Sequence, residues 1–133
     1  FKRINDKYGH GYGDRVLARI CDLLRNALRA DDLVGRIGGD EFVLLLKNVV
    51  NREALQIKIN NLCQQLYQTI TDQMEVSCSF GAATYPQDGA DFDELYRKAD
   101  AALYAAKEAG RNCTRIYEPD MGMTMPLFEL KEL

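Results

Sequence analysis

The sequence predicts a single α/β sandwich: a mixed, mainly antiparallel sheet with helices on both faces. Three observations carry the layered helix-and-sheet class. The chain has 133 residues, enough for one core and too few for two ordinary domains. Segments with helical spacing of apolar residues alternate with short β-rich runs. Two of those runs flank a tight Gly-Gly turn while the others are separated by helices, so hairpin and crossover connections are mixed.

Over residues 13–28, Val16, Leu17, Ile20, Leu23, Leu24, Ala27 and Leu28 recur on one face, with Asp14, Arg15, Arg19, Asp22 and Arg25 on the other. That spacing predicts an amphipathic helix. Residues 33–37 and 41–46 read as strands around the turn. The second is almost continuously apolar and is expected to be covered on both faces. A second helix is predicted over 51–70, with Leu55, Ile59, Leu62, Leu66 and Ile70 on one side.

Residues 74–85 read as a strand ended by "PQDG". Asp91 followed three residues later by Glu94 has the form of a capping box opening a third helix, with Gly110 as its stop. A last strand is expected over 113–117, before Pro119.

Composition narrows the function. Hydrophobic residues make up 47% and charged residues 28%, as in a globular protein. The net charge of −3 gives no basic stripe for long nucleic acid, while leaving a small nucleotide open as a ligand. Cys21, Cys63, Cys78 and Cys113 form no CxxC pair and His10 stands alone, so zinc spacing is absent. Three of the cysteines fall inside apolar patterns, which reads as a cytoplasmic chain without structural disulfides. No apolar run reaches the roughly 20 residues needed to cross a bilayer. The start on "FKRIND" reads as a segment of a longer protein, whose upstream part could hold a membrane anchor.

"RIGGDEFVLLL", residues 36–46, sets Asp40 and Glu41 beside Gly38 and Gly39. A plain hairpin explains the glycines and leaves the acids as solvated turn residues. The other reading is chemical. Missing side chains let a ligand approach the backbone, and adjacent carboxylates offer hard oxygen ligands to Mg²⁺ beside nucleotide phosphates. These four residues leave both open.

In "FKRINDKYGHGYGD", Asn5, Asp6 and Asp14 accompany Gly9, Gly11 and Gly13. Either this is a glycine-rich loop with a helix cap supplied by Asp14 or the glycines, or its amide and carboxylate oxygens accept from guanine N1 and N2. Lys107 and Arg111 suit a helix C-terminus electrostatically and equally suit triphosphate oxygens. Arg29 and Asp32 would ordinarily form a local ion pair worth at most about 1 kcal/mol. His10 reads as a loop hydrogen-bonder rather than a metal ligand.

Taken in order and at their separations, "FKRINDKYGHGYGD", "RIGGDEFVLLL", "SFGAATYPQDG" and "ADAALYAAKEAGRN" resemble the GGDEF domain of bacterial diguanylate cyclases over residues 1–117. The resemblance implies a nucleotide-cyclase or polymerase-palm-like fold and condensation of two GTP into cyclic di-GMP and two pyrophosphates across a homodimer, with Mg²⁺ or Mn²⁺. It implies that Asn5 and Asp14 read guanine, Asp40 ligates the metal, and Glu41 helps deprotonate the 3′-OH or holds a second metal. Lys107 and Arg111 would take the β- and γ-phosphates, assisted by Lys2. Gly38 and Gly39 would admit the phosphates.

The family's further metal aspartate lies four residues before the position of Phe1, so the chain as given lacks it, together with the family's first strand. Arg29-Ala30-Asp31-Asp32 matches the family's RxxD inhibitory site, where Arg29 and Asp32 would bind cyclic di-GMP. The arginine that the next helix often adds has no clear match among Lys58, Asn60 and Asn61. Residues 118–133 resemble the connector that in many members leads to an EAL phosphodiesterase domain, or form a plain C-terminal tail. A degenerate regulatory module that binds GTP or cyclic di-GMP is the rival reading.

Overall fold

The computed structural model describes residues 6–38, 41–71, 78–110 and 113–121, without the side chains of 69–71 and 120. Three long helices and four strands follow in the order α1 (His10–Ala27), β1 (Leu33–Gly38), β2 (Glu41–Leu45), α2 (Arg52–Thr71), β3 (Phe80–Ala82), α3 (Phe92–Glu108) and β4 (Thr114–Ile116), before a 3₁₀ turn at Pro119–Met121.

Helix α1 begins three residues before the predicted start. Gly9, at φ 88°, is its N-cap, and the Gly13 N–H donates to Gly9 O at 3.2 Å to close the first turn. Only glycine adopts that left-handed backbone without strain. His10, Gly11, Gly13 and Asp14 are therefore helical, and neither a longer glycine loop nor an Asp14 cap forms.

In α2 the Asn51 side chain caps the first turn, accepting the Ala54 N–H at 2.8 Å. Asp91 does the same for α3 by accepting the Glu94 N–H at 2.9 Å, and Glu94 reaches back to the Ala90 N–H at 3.2 Å, a capping box displaced by one residue. Gly110, at φ 111°, stops α3.

Strands β1 and β2 pair antiparallel, from Leu33 opposite Leu45 to Gly38 opposite Glu41, with a bulge between Arg36 and Gly38. Strands β3 and β4 pair in parallel, Phe80 opposite Thr114. The mixed pairing agrees with the sequence, but among the described residues the strands form two separate two-stranded sheets. The part of the predicted 74–85 strand before residue 78 lies outside the described residues, and the rest forms a strand only over Phe80–Ala82.

One face of the hairpin, Val34, Phe42 and Leu44, packs with Ile20, Leu23 and Ala27 against the core of Leu24, Leu62 and Leu66. The other face is open: Leu33 and Ile37 are 55% and 53% exposed, and Leu45 is 43% exposed. Coverage of β2 on both faces is thus not what forms, because side chains alternate across a strand and helices α1 and α2 cover one side.

A second cluster joins Leu55 and Ile59 of α2 to Ile116 of β4. Helix α3 lies so close to β3 that a Cβ on Gly81 would meet the main-chain N of Leu103 and O of Ala99. Ala102 and Ala106 on α3 are fully buried. The Arg52 guanidinium ties the start of α2 to the end of β4, donating to Tyr117 O at 3.2 Å and Ile116 O at 3.4 Å and pairing with Glu118 at 3.1 Å. Asp88 closes the turn after β3, accepting the Thr84 N–H at 2.8 Å and the Thr84 hydroxyl at 3.0 Å. All four cysteines are free thiols. No helix among the described residues is long and apolar enough to cross a membrane.

Candidate active site and the turn behind it

Glu41 opens β2 with its side chain exposed, directly across the turn from Gly38. A Cβ placed on Gly38 meets nothing within 4 Å, so the backbone there is open to approach. The hairpin end therefore presents a carboxylate beside bare main chain, which is what either the turn reading or the phosphate reading requires. Tyr96 on α3 lies within electrostatic reach: burial first, then the Asp100 and Glu41 carboxylates, push its phenol above the ordinary tyrosine range. Tyr96 and Asp100, one helical turn apart, were not singled out in the sequence, where they look like ordinary α3 positions.

Asp14 is exposed on the second turn of α1, and Lys107 is exposed on the last turn of α3. Each thus sits at a surface position that a ligand can reach. Lys2, Asn5, Gly39, Asp40 and Arg111 lie outside the described residues. The donor chemistry of the hairpin fits a hard cation: Mg²⁺ takes one or two carboxylates and keeps waters or phosphate oxygens in its other positions, so a three-residue cluster is not required. Among the described residues no such cluster exists.

At the other end of the hairpin the expectation of a surface Arg29–Asp32 ion pair is corrected. Asp32 is buried, its side chain only 1% exposed. Its carboxylate accepts the main-chain N–H of Lys47 at 2.8 Å and of Arg29 at 3.0 Å, and Lys58 Nζ stands 3.6 Å away. What Arg29 gives Asp32 is its main-chain N–H. Burial pushes the Asp32 carboxyl up, and the two N–H donors with the Lys58 charge more than offset it, so the group titrates below the usual aspartate range.

A family model, diguanylate cyclase GGDEF domain, matches residues 1–113. This chain belongs to the GGDEF family. The GGDEF chain is 41% identical over 123 residues to the bifunctional diguanylate cyclase/cyclic di-GMP phosphodiesterase MucR of Pseudomonas aeruginosa, covering 91% of itself and 18% of that protein. It thus spans less than a fifth of that relative. Among solved structures it is similar to the GGDEF domain of PA1120 (TpbB or YfiN) from the same species, at 35% identity and TM-score 0.78, covering 90% of this chain and 72% of that one. It also resembles a microbial GGDEF domain studied with bis-(3,5)-cyclic di-GMP, at 36% identity and TM-score 0.68, covering 86% and 71%. These likenesses bear out the α/β class of a cyclase-like palm.

Proposed function

We propose that this GGDEF domain is a diguanylate cyclase module that condenses two GTP into cyclic di-GMP and two pyrophosphates across two facing copies, in the cytoplasm. The observation that carries this reading is the exposed Glu41 carboxylate paired across the turn with the open backbone of Gly38. A triphosphate can lie against that backbone, and a carboxylate at its edge is placed to take a proton from an incoming 3′-OH. The 3′-oxygen then bonds to the α-phosphorus of the facing nucleotide and pyrophosphate leaves.

Asp40 and Glu41 would hold Mg²⁺ or Mn²⁺, which when bound neutralises charge building on the phosphates. Lys107, with Arg111 and Lys2, would take the outer phosphates, while Asn5 and Asp14 would read guanine. Residues 118–133 are assigned to a connector beyond the domain. Cyclic di-GMP would also bind as an inhibitor around the Arg29–Asp32 turn.

The test is product formation from GTP and Mg²⁺ by the intact protein, followed by chromatography. Glu41→Gln should lose about a hundredfold or more of the rate while its thermal melt is unchanged. Wild-type turnover by that variant overturns the assignment. A regulatory module is the second reading, supported by the phosphodiesterase half of the MucR name. It would bind GTP with no product formed by the wild type.

A further inference from the structure

The chain leaves its last strand at Tyr117, and three elements hold that point. The Tyr117 N–H donates to Ala82 O of β3 at 2.8 Å. Tyr117 is buried, with Lys98 Nζ of α3 standing 5.4 Å from the ring centre and itself paired with Glu94 at 3.3 Å. Arg52 Nη1 donates to Tyr117 O at 3.2 Å, while Nη2 donates to Ile116 O at 3.4 Å and to Glu118 Oε1 at 3.1 Å. The exit then closes on itself, the Met121 N–H donating to Glu118 O at 3.0 Å in the 3₁₀ turn.

Arg52 is the first residue of α2, whose start is fixed by the Asn51 cap and by Leu55 and Ile59 packed against Ile116. A guanidinium is a planar fork whose donors serve several acceptors in one fixed geometry, which the point charge of a lysine does not match. The ion pair with Glu118 is the weaker part of the grip: the two side chains are 47% and 56% exposed, and so exposed a pair contributes little. The main-chain carbonyls of Ile116 and Tyr117 belong to the strand end and its exit, so holding them fixes the direction of the chain. One side chain of α2 thus spans three successive residues of the exit.

We propose that Arg52 is the latch of a rigid joint, which makes the exit from β4, Tyr117 to Met121, move with α2 as one body, so that a displacement at the start of α2 is passed to the chain leaving the domain. The joint has two states. With the guanidinium seated, the exit leaves in one direction. With it withdrawn, the two carbonyls turn to water and the exit swings about the end of β4.

The experiment is amide hydrogen exchange of the intact protein, read by NMR, with a thermal melt of each variant. In wild type the Tyr117 and Met121 amides should be protected and exchange at a shared rate. Arg52→Ala should speed both about tenfold or more, the loss expected for hydrogen bonds from a charged donor, while the amides of β1 and β2 keep their pace. Arg52→Lys should speed both to a smaller extent, and Glu118→Ala should change them little. Asn51→Ala removes the cap of α2 without touching the exit. It should speed Tyr117 and Met121 when Arg52 is present and add nothing in the Arg52→Ala background, the signature of coupling through one side chain.

If Met121 exchanges in wild type at the pace of an open chain, the exit is a loose tether and the joint falls. Wild-type exchange in Arg52→Ala, or equal acceleration of the hairpin amides, removes Arg52 as the latch. An Asn51→Ala effect of the same size in both backgrounds overturns the passage through Arg52. Should Arg52→Ala fail to fold, Arg52→Lys at the wild-type pace on both amides is sufficient to reject the latch.

Discussion

Asp32 Oδ1 accepts the main-chain N–H of Lys47 at 2.8 Å, joining residues fifteen apart and extending the hairpin beyond its last strand pair, Leu33 with Leu45. Removing the carboxylate leaves two partly buried N–H groups and Lys58 without their acceptor. Asp32→Ala should therefore cost about 1–3 kcal/mol. Arg29→Ala keeps the N–H that Asp32 uses and should stay within about 0.5 kcal/mol of wild type. Urea denaturation of both variants checks the contrast, and equal losses would contradict it.

The same carboxylate makes stability depend on acid. Folding holds Asp32 charged below the ordinary aspartate range, so the unfolded chain takes up its proton more readily. Its contribution is full above about pH 4 and is lost as pH falls through the lower folded value. Asp32→Asn does not titrate. The stability gap between wild type and this variant should narrow from pH 5 to pH 3, and a constant gap counts against the assignment.

Cys78 behaves in the opposite sense. Burial, and then Cys63 nearby, push its thiol up to about 11. Cys63 is raised as well, by burial and then by Cys113. At pH 8 only about one Cys78 in a thousand is then a thiolate, the form that reacts. Alkylation of Cys78 in the native protein should be far slower than in urea, as read by mass spectrometry of its peptide. Because the unfolded thiol ionises near pH 8.5, this group's contribution to stability is full below that pH and declines as pH rises towards 11.

Gly81→Ala should be severely destabilising, by more than the about 1–3 kcal/mol of ordinary overpacking, because the added methyl meets α3 main chain rather than a movable side chain. Gly35→Ala is the control: a Cβ there meets nothing within 4 Å, and it should change the melting temperature little. Circular dichroism melts of the pair decide it.

Asp14 is exposed on α1, so Asp14→Ala should leave the fold within about 0.5 kcal/mol of wild type. If Asp14 reads guanine N–H groups, the variant should lose the preference for GTP over ATP. Calorimetry with both nucleotides tests this, and an unchanged preference removes Asp14 from the guanine site.

The three helices were legible because their apolar spacing and the Asp91–Glu94 pair are local signals. The start of α1 was not: three glycines in five residues look like a loop until Gly9 is seen to cap and Gly13 to close the turn. Asp32 gave no hint of burial, because its partners come from Lys47 and Lys58, set beside it only by hairpin and helix packing. Gly81 sits in an ordinary alternating run, and only the close approach of α3 shows why a side chain is excluded. Glu41, Asp14 and Lys107 were readable as residue types at motif positions, and all three are exposed. What the sequence left unspecified was the company they keep, such as the Tyr96 phenol within electrostatic reach of Glu41.

Since β1 and β2 bond to each other and not to β3 or β4 among the described residues, the two sheets need not open together. Amide hydrogen exchange should therefore show two levels of protection, one shared by Val34 to Leu45 and limited by escape of the hairpin from α1 and α2, the other shared by Phe80, Ala82 and Thr114. A ligand gripping the bare turn would slow deuterium uptake at the first set and leave the second at its resting pace.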